Sequence, residues 1–176
     1  MCSSDLDDVY FSHIANYLSN AGFETGTLSP WTSGQYAQVV TGAWHFGISP
    51  HSGNCFLGVA GNYNPYPGYA QQSAAVVEGN YIASVWSLVL RGGNTIEAAK
   101  SRVGVDPTGG SDPNSPNVIW SNWDSQAAWY FGEWRQISTP AVSCPGGTVT
   151  VFLQYLQQEV GGWHINCFDD VLLAVS

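Results

Sequence analysis

Two regions of the chain combine aromatic rings with amide and carboxylate groups. A proline-rich segment contributes two tyrosines three residues apart, Tyr63 and Tyr66. A second region contributes three tryptophans and two polar neighbours, Trp120, Trp123, Trp129, Asn122 and Asp124. Sugar rings have apolar C–H faces bordered by hydroxyl groups, and proteins bind them with flat aromatic faces and a few hydrogen-bonding groups. We predict that the three tryptophans form a glycan-binding platform, with the other four residues as further contacts.

Each tryptophan also has a structural alternative, because Trp is a frequent core residue in β-sandwiches. We expect Trp31, Trp86 and Trp134 to lie in the core. The polar neighbours of the three platform tryptophans favour exposure, and for those rings core packing and ligand contact stay equally open. In the polar segment upstream of them, turn capping by Asp106 and Asp112 is the expected role and a second cation is the alternative.

The composition indicates one domain and narrows the classes of partner. A chain of 176 residues has the length of one ordinary domain. Its formal charge of -9 opposes nucleic acid and anionic membranes. Charged residues make up only 10% of the chain and aromatic residues 14%, a balance typical of a secreted β protein that binds neutral polar ligands such as a polysaccharide or glycan.

The sequence contains no membrane-spanning run and no intact signal peptide. No stretch approaches the roughly 18 to 20 apolar residues that cross a bilayer. Residues 1–8 carry three acidic groups and no basic one. We expect them to be a non-native or disordered N-terminal segment, and residues 9–176 to be a single domain that is secreted or displayed at the cell surface.

The pattern of strand-forming residues predicts an all-β fold, an antiparallel β-sandwich of the jelly-roll type. Short runs rich in Val, Ile, Thr, Tyr and Trp alternate with clusters of Gly, Pro, Asn and Ser. Eight runs have strand length: Tyr36–Val40, Cys55–Val59, Ala70–Val77, Tyr81–Leu90, Glu97–Val105, Trp134–Val142, Thr148–Tyr155 and Phe168–Ala174. The segments Gly61–Gly68 and Asp106–Asn117 are rich in proline and glycine and are predicted to be surface loops, and Ile14–Asn20 a loop or short strand.

The four cysteines show no metal-ligand spacing. One disulfide among the last three and a set of buried free thiols are equally compatible with the pattern, and the sequence does not choose a pair. These three residues are Cys55, Cys144 and Cys167.

Four short motifs follow one another along nearly the whole chain. Residues 20–26 read NAGFETG and precede Trp31, and residues 51–57 read HSGNCFL. Residues 134–136 read WRQ, and residues 167–173 read CFDDVLL. In this order they resemble the carbohydrate-binding modules of the galactose-binding-like jelly-roll class, which includes xylan- and glucan-binding modules. The resemblance implies the sandwich fold and a non-catalytic glycan-binding function.

A calcium site is predicted where the two ends of the chain meet. Glu24 and Asp169 or Asp170 belong to the first and last motifs, and the outer strands of a jelly roll commonly pair. Carboxylates brought together repel one another unless a cation neutralises them, and calcium accepts irregular cages of oxygen ligands. The resemblance implies the same structural calcium, with carbonyl ligands here from Gly22 and from around Ser52. The alternative is a strand-terminating Glu24 and two solvent-facing aspartates.

Two other function classes stay open. A polysaccharide-active enzyme would need two carboxyl groups roughly 5–10 Å apart, and four glutamates are available: Glu78, Glu97, Glu133 and Glu159. None lies in a recognisable catalytic motif, so we predict that the protein is not an enzyme. A structural subunit of an extracellular fibre or cell-surface layer, self-associating through edge strands, is the stronger alternative.

Overall fold

The computed structural model describes residues 15–34, 36–61, 64–90, 99–125, 132–157 and 164–176, with the backbone alone at 64–66. The predicted N-terminal segment, residues 1–8, lies outside the described residues, as do Tyr63 and Trp129. Eleven strands and one short 3-10 turn, His45–Gly47, form the described part. The strands are β1 Thr32–Ser33, β2 Ala37–Thr41, β3 Cys55–Gly61, β4 Asn64–Val76, β5 Gly79–Leu90, β6 Ala99–Asp106, β7 Ile119–Trp120, β8 Arg135–Ser138, β9 Val142–Cys144, β10 Gly147–Gln157 and β11 His164–Val175.

The strands form two antiparallel sheets packed face to face, so the predicted all-β sandwich is confirmed. The five-stranded sheet has the order β1-β4-β10-β6-β7, and the six-stranded sheet has the order β2-β3-β11-β5-β8, with β9 also paired to β5. Strands β10 and β11 lie at the centres of their sheets and are in direct contact, because Gln157 Nε2 donates to Asn166 Oδ1 at 2.9 Å. The first and last parts of the chain meet, because Tyr17 N donates to Leu173 O at 3.0 Å and Val171 N to Ala21 O at 3.0 Å.

The main core lies between the sheets and follows the period-two alternation of the strands. In β6 the residues Ala99, Val103 and Val105 face this core, and in β10 Val151 and Leu153 do so. All five side chains are fully buried. The intervening residues of both strands lie on the outer side of the five-stranded sheet, where most of them are also buried and only Lys100 and Arg102 are half-buried.

A second apolar cluster lies on the outer side of the six-stranded sheet. The segment between β2 and β3 folds over this sheet, and its members include Ile48, Phe56, Leu88, Leu90 and Ile165. Trp134 packs against this cluster rather than between the sheets, and Trp86 stacks on His51 with ring centroids 3.9 Å apart. The expectation of a core position is therefore wrong for Trp86 and Trp134, because both face the outer side of the sheet, and right for Trp31, which is 3% exposed.

One predicted loop is largely a strand. Residues 64–68, assigned from sequence to the loop Gly61–Gly68, extend β4, and Gly68 and Asn64 pair with Tyr155 and Gln157 of β10. Proline lacks an N–H group and is tolerated in a strand only where no partner accepts from that position. The neighbouring strand β1 pairs only with Gln71 and Ala70 of β4, so no strand in the described part of the chain pairs with residues 64–68 on that edge.

Proline also explains why one predicted strand is two strands in the structure. The run predicted as one strand, Trp134–Val142, is divided into β8 and β9, and Pro140 lies between them. Thr139 ends the first piece by pairing with Ala83, to whose carbonyl its N–H donates at 2.9 Å. The remaining predicted strands are present with ends shifted by a few residues.

The three described cysteines are buried free thiols, which settles the cysteine alternatives in favour of thiols. Burial raises the pKa of Cys144, and burial together with the nearby Asp169 raises that of Cys167 well above its ordinary value. In the described residues, no helix is long and apolar enough to cross a membrane.

Two valine-to-alanine substitutions, one in the core and one on the surface, should differ clearly in their effect on the free energy of unfolding. Val151→Ala removes two buried methyl groups at the centre of the sandwich, and we expect a loss of about 2 kcal/mol in the free energy of unfolding. Val77→Ala acts on a side chain that is 69% exposed and should stay within about 0.5 kcal/mol of the parent protein. Urea unfolding of both variants measures the difference, and equal losses would contradict this description of the core.

Candidate functional site

The open side of the five-stranded sheet carries the candidate site. Along β6 the outward residues are Lys100, Arg102, Gly104 and Asp106, which lie opposite Leu156, Gln154, Phe152 and Thr150 of β10. The next strand continues two of these rows, with Tyr69 opposite Gln154 and Gln71 opposite Phe152. Polar, cationic and aromatic side chains therefore share one surface, which we call the tryptophan face after its two indole rings.

The segment after β7 brings those rings onto the sheet. Trp120 pairs with Gly104, and Asp124 forms two backbone hydrogen bonds of 2.8 and 3.0 Å with Ser101. Trp123, between these anchors, is held beside the strand. The pairing of a short edge segment with β6 thus places two rings next to one row of outward residues.

Arg102 lies between the two indole rings. Its guanidinium carbon is 4.1 Å from the ring centroid of Trp120 and 4.2 Å from that of Trp123. The Nε–H group donates to Gln154 Oε1 at 2.7 Å. Lys100 Nζ lies 5.1 Å from the Trp123 centroid. Cation–π contacts of this kind are worth about 0.5–2 kcal/mol each, so the cations fix the positions of the rings.

Gly104 provides the space that Trp120 occupies. A Cβ atom at this position would lie 2.7 Å from Cζ3 and 2.8 Å from Cδ2 of the ring, closer than real contacts allow. On the far side of the face, Phe152 packs against Trp120 at 6.0 Å and against Tyr69 at 6.4 Å between centroids. The aromatic surface therefore continues from β7 across β10 to β4.

The structure brings four of the seven predicted contact residues to one place. Trp120 and Trp123 flank Arg102, and Asn122 and Asp124 lie in the same segment, with Asn122 exposed. Trp129 and Tyr63 lie outside the described residues. Tyr66 belongs to β4, which crosses the same sheet, and its side chain is not described. Glycan contact by all seven stays a prediction.

Sequence reasoning missed four members of the face: Lys100, Arg102, Gln154 and Phe152. Tyr69 continues the spacing of Tyr63 and Tyr66 in the sequence but was not predicted as a contact. The signal for the two cations was present in the alternation of β6, where Ala99, Ser101, Val103 and Val105 face inward. An arginine and a lysine at the alternate positions must then share the opposite side. Only pairing between strands far apart in sequence could place the tryptophans beside them.

The loop after β6 closes one end of the face. Asp106 is fully buried, and its Oδ1 accepts from Thr108 N at 2.8 Å and from Thr108 Oγ1 at 2.6 Å. Asp112 Oδ1 accepts from Asn114 N at 2.9 Å. Both aspartates thus cap turns, as expected from the sequence.

A second cluster of chemistry-bearing residues lies on the other sheet. Strand β11 contains a β-bulge between Asp169 and Leu172, where Asp170 adopts a positive φ of 46°. The extra residue allows two consecutive carboxylates to reach the same loop, residues 51–54. Asp169 Oδ2 accepts from His51 N at 2.9 Å and Ser52 N at 3.1 Å, and Asp170 Oδ1 accepts from Ser52 Oγ at 2.8 Å.

Glu24 approaches the same loop from the other end of the chain. Its carboxylate accepts from Asn54 N at 2.9 Å and from Cys55 N at 2.9 Å. Gly22 lies against the group, since a Cβ there would be 3.2 Å from Asp170 Oδ1 and 3.6 Å from Asp169 Oδ1. The five residues predicted from sequence to form a metal site therefore lie around one loop, and we call them, with His51, the carboxylate cluster.

The cluster has an electrostatic cost. The pKa of Asp169 is raised to about 6, mainly by burial and to a smaller extent by the charge of the neighbouring Asp170, while hydrogen bonds from the backbone of Ser52, Asp170 and His51 partly offset the rise. His51 Nδ1 lies 2.7 Å from Asp170 Oδ2 and supplies one polar partner. A cation would offset the remaining repulsion.

The donor set of the cluster is suited to calcium, and its present arrangement is closed by hydrogen bonds. Three carboxylates and nearby carbonyl groups are hard oxygen ligands, the type that calcium binds. The carboxylate oxygens point at backbone N–H and side-chain donors, however, and within the described ranges no three His, Cys, Asp or Glu side chains form a ready metal cage. Calcium binding would require Glu24 to turn from the 54–55 backbone.

Several solved structures resemble this sandwich over most of its length. TmCBM61, solved in complex with β-1,4-galactotriose, has a TM-score of 0.69 and 19% identity and covers 92% of this chain and 99% of its own. The CBM22-1 xylan-binding domain of Paenibacillus barcinonensis Xyn10C has a TM-score of 0.55 and 16% identity over 92% and 95% of the two chains. The K1 cleaved adhesin domain of the Porphyromonas gingivalis Lys-gingipain has a TM-score of 0.56 and 16% identity, and the match covers 88% of this chain and 96% of the adhesin domain.

What these proteins share with the chain is the fold. The fold expected from the four motifs, that of galactose-binding-like carbohydrate-binding modules, is therefore confirmed. No protein-family model matches the sequence, and a comparison with curated proteins finds no match. At such low identities, and with an adhesin domain among the neighbours, the fold alone does not assign a function.

The contact between Gly104 and the Trp120 ring provides a direct test of the site geometry. Gly104→Ala should displace the indole and lower the free energy of unfolding by about 1–3 kcal/mol, because the added methyl group meets the ring. The indole N–H resonance of Trp120, assigned by its loss in Trp120→Phe, should move strongly. Gly79→Ala is the control, since its Cβ would lie at an ordinary 3.5 Å from Tyr81. An unchanged Trp120 resonance in Gly104→Ala would contradict the contact.

Proposed function

We propose that the protein is a non-catalytic module that binds polysaccharide or glycan on the tryptophan face. The observation that carries the proposal is the Trp120–Arg102–Trp123 stack on the open side of a sheet, in a fold shared with carbohydrate-binding modules. TmCBM61 was solved with β-1,4-galactotriose, and the CBM22-1 domain is described as xylan-binding. Both support a sugar polymer as the ligand class.

The chemistry of the face suits a sugar chain. Indole rings whose positions are fixed by cations offer preorganised apolar edges and faces to C–H groups, which reduces the entropy lost on binding. The exposed Asn122 adds an amide group that can hydrogen-bond to hydroxyls, whereas Gln154 is buried and holds Arg102. The formal charge of -9 favours a chain that is neutral over most of its length.

A screen of insoluble polysaccharides and a glycan array test the proposal. We expect at least one glycan to bind, and Trp120→Ala and Trp123→Ala each to weaken that binding at least tenfold, which corresponds to about 1.4 kcal/mol. Trp86→Ala is the matched control, because this ring stacks on His51 on the other sheet. Circular dichroism checks that each variant is folded.

The outcomes separate the function classes. Binding lost in the two face variants and kept in Trp86→Ala supports the module. No binding to any glycan, together with a polymeric elution profile in size-exclusion chromatography, would favour the structural subunit that associates through its edge strands. New reducing ends released from a bound polysaccharide would contradict the non-catalytic role.

We also propose that the carboxylate cluster binds a structural calcium ion. Glu24, Asp169 and Asp170 would supply carboxylate oxygens, and Gly22 and Ser52 backbone oxygens. Calcium would supply positive charge that offsets the burial of Asp169 and its repulsion from Asp170, which together raise the pKa of Asp169. The composition, with few charges and many aromatic and amide residues, supports the proposal of a secreted or cell-surface protein, which antibody labelling of intact producing cells would test.

Calcium addition should raise the melting temperature of chelator-treated protein. An ion present at 100 times its Kd adds about 2.7 kcal/mol, and each kcal/mol moves the melting temperature of a domain of this size by about 2–4 °C. We therefore expect a rise of at least about 5 °C, reduced in Glu24→Gln and kept in the control Glu78→Gln, whose glutamate is exposed and distant in sequence from the cluster. An unchanged melting temperature with calcium would exclude the structural ion.

A further inference from the structure

The tryptophan face holds a large share of the few cationic side chains of an acidic protein, together with Asp106 and Asp124. The sequence has four basic residues and thirteen acidic ones, and two of the four, Lys100 and Arg102, lie on this face. A third, Arg135, is exposed on β8 of the other sheet. A neutral sugar polymer needs no cation for stacking or for hydrogen bonds to hydroxyl groups, so this placement calls for a further reason.

Arg102 has no carboxylate partner among the residues that the structure describes. Its one hydrogen bond there is the bond from Nε to Gln154, and its two ring contacts occupy the flat faces of the guanidinium. The side chain of Arg102 is half-buried, so part of it is exposed to solvent. Partial burial lowers the pKa of the group, the sign of a cation that has lost water without gaining an anion.

The geometry of the guanidinium determines what it can bind. With Nε occupied and both faces stacked, the free edge offers the parallel N–H groups of the terminal nitrogens. A planar fork of this kind matches the two oxygens of a carboxylate, and the stacked rings hold it in one orientation before the ligand arrives. Lys100, next along the row, adds a second positive charge beside Trp123.

We propose that the glycan bound by this face carries an acidic sugar unit whose carboxylate pairs with Arg102. The proposal rests on the glycan-binding function above and specifies its ligand as a uronic acid unit within an otherwise neutral chain. The overall charge of -9 agrees with an isolated acidic unit rather than a polyanion. Long-range repulsion is screened beyond about 8 Å at physiological salt, whereas the contact with Arg102 is not.

Pairs of oligosaccharides that differ at a single unit test the proposal. In each pair a CH2OH group of the neutral member is replaced by a carboxylate in the acidic member. One pair is a β-1,4-galacto-oligosaccharide with a galactose or a galacturonate at one position, and the other is a xylo-oligosaccharide with a glucose or a glucuronate branch. Isothermal titration calorimetry measures both members at low and high sodium chloride. We expect the acidic member of at least one pair to bind about tenfold more tightly at low salt, with the advantage reduced at high salt.

Variants assign that advantage to the guanidinium. Arg102→Gln should abolish the preference for the acidic member, and Arg102→Lys should retain part of it, because the charge stays and the planar fork is lost. Arg135→Gln removes the same charge from the other sheet and should leave the preference unchanged. Thermal melting identifies any variant that fails to fold. If Arg102→Gln does not fold, the preference for the acidic member is compared between Arg102→Lys and Arg135→Lys instead.

The possible results distinguish failure of the carboxylate inference from failure of the glycan-binding function. Equal binding of both members by the parent protein, or an acidic preference that survives in folded Arg102→Gln, would overturn the carboxylate inference and leave the glycan-binding function standing. Preference for a sulfated pair without preference for the uronate pair would also overturn it. Failure of every oligosaccharide and of the polysaccharide screen would reject the glycan-binding function and the inference together.

Discussion

The register of β6 against β10 is the constraint on which the candidate site depends. The alternation of β6 sends Val103 and Val105 into the core and Arg102 and Gly104 to the open face. A slip by one residue would move the guanidinium between the sheets and expose the two valines, so the buried side of the strand fixes the register. The same apolar residues that stabilise the sandwich therefore position Arg102 and also Gly104, against which Trp120 packs.

The second consequence of strand geometry is the separation of two kinds of site. The tryptophan face belongs to the five-stranded sheet, whereas the carboxylate cluster lies at the bulge of β11 in the six-stranded sheet. A regular strand would have sent Asp169 and Asp170 to opposite faces, and the positive φ of Asp170 lets both meet the 51–54 loop. The candidate binding face and the carboxylate cluster that links the chain ends thus lie in different layers of the molecule.

The sequence predicts the fold better than the site. Apolar alternation and turn residues located most strands, because both act over a few residues. They failed at 64–68, where a proline-containing segment became a strand because no described strand pairs with it on one edge, and at Pro140, which splits a run in two. The carboxylate cluster was predicted because its residues lie in motifs that resemble those of a known family, although they are far apart in the sequence. The role of Arg102 was missed, because only the pairing of β7 with β6, sixteen residues apart at Gly104 and Trp120, brings the rings to it.

The contact between Gly104 and Trp120 makes the two positions interdependent. Glycine in a strand usually weakens it, and here it gives the indole the volume of the missing side chain. A larger residue at position 104 is compatible only with a smaller one at position 120, so neither position can vary freely while the other is kept. Related sequences, or a selected library, in which this surface has changed should therefore show paired substitutions at positions 104 and 120. The glycine and the ring that packs on it would be replaced together.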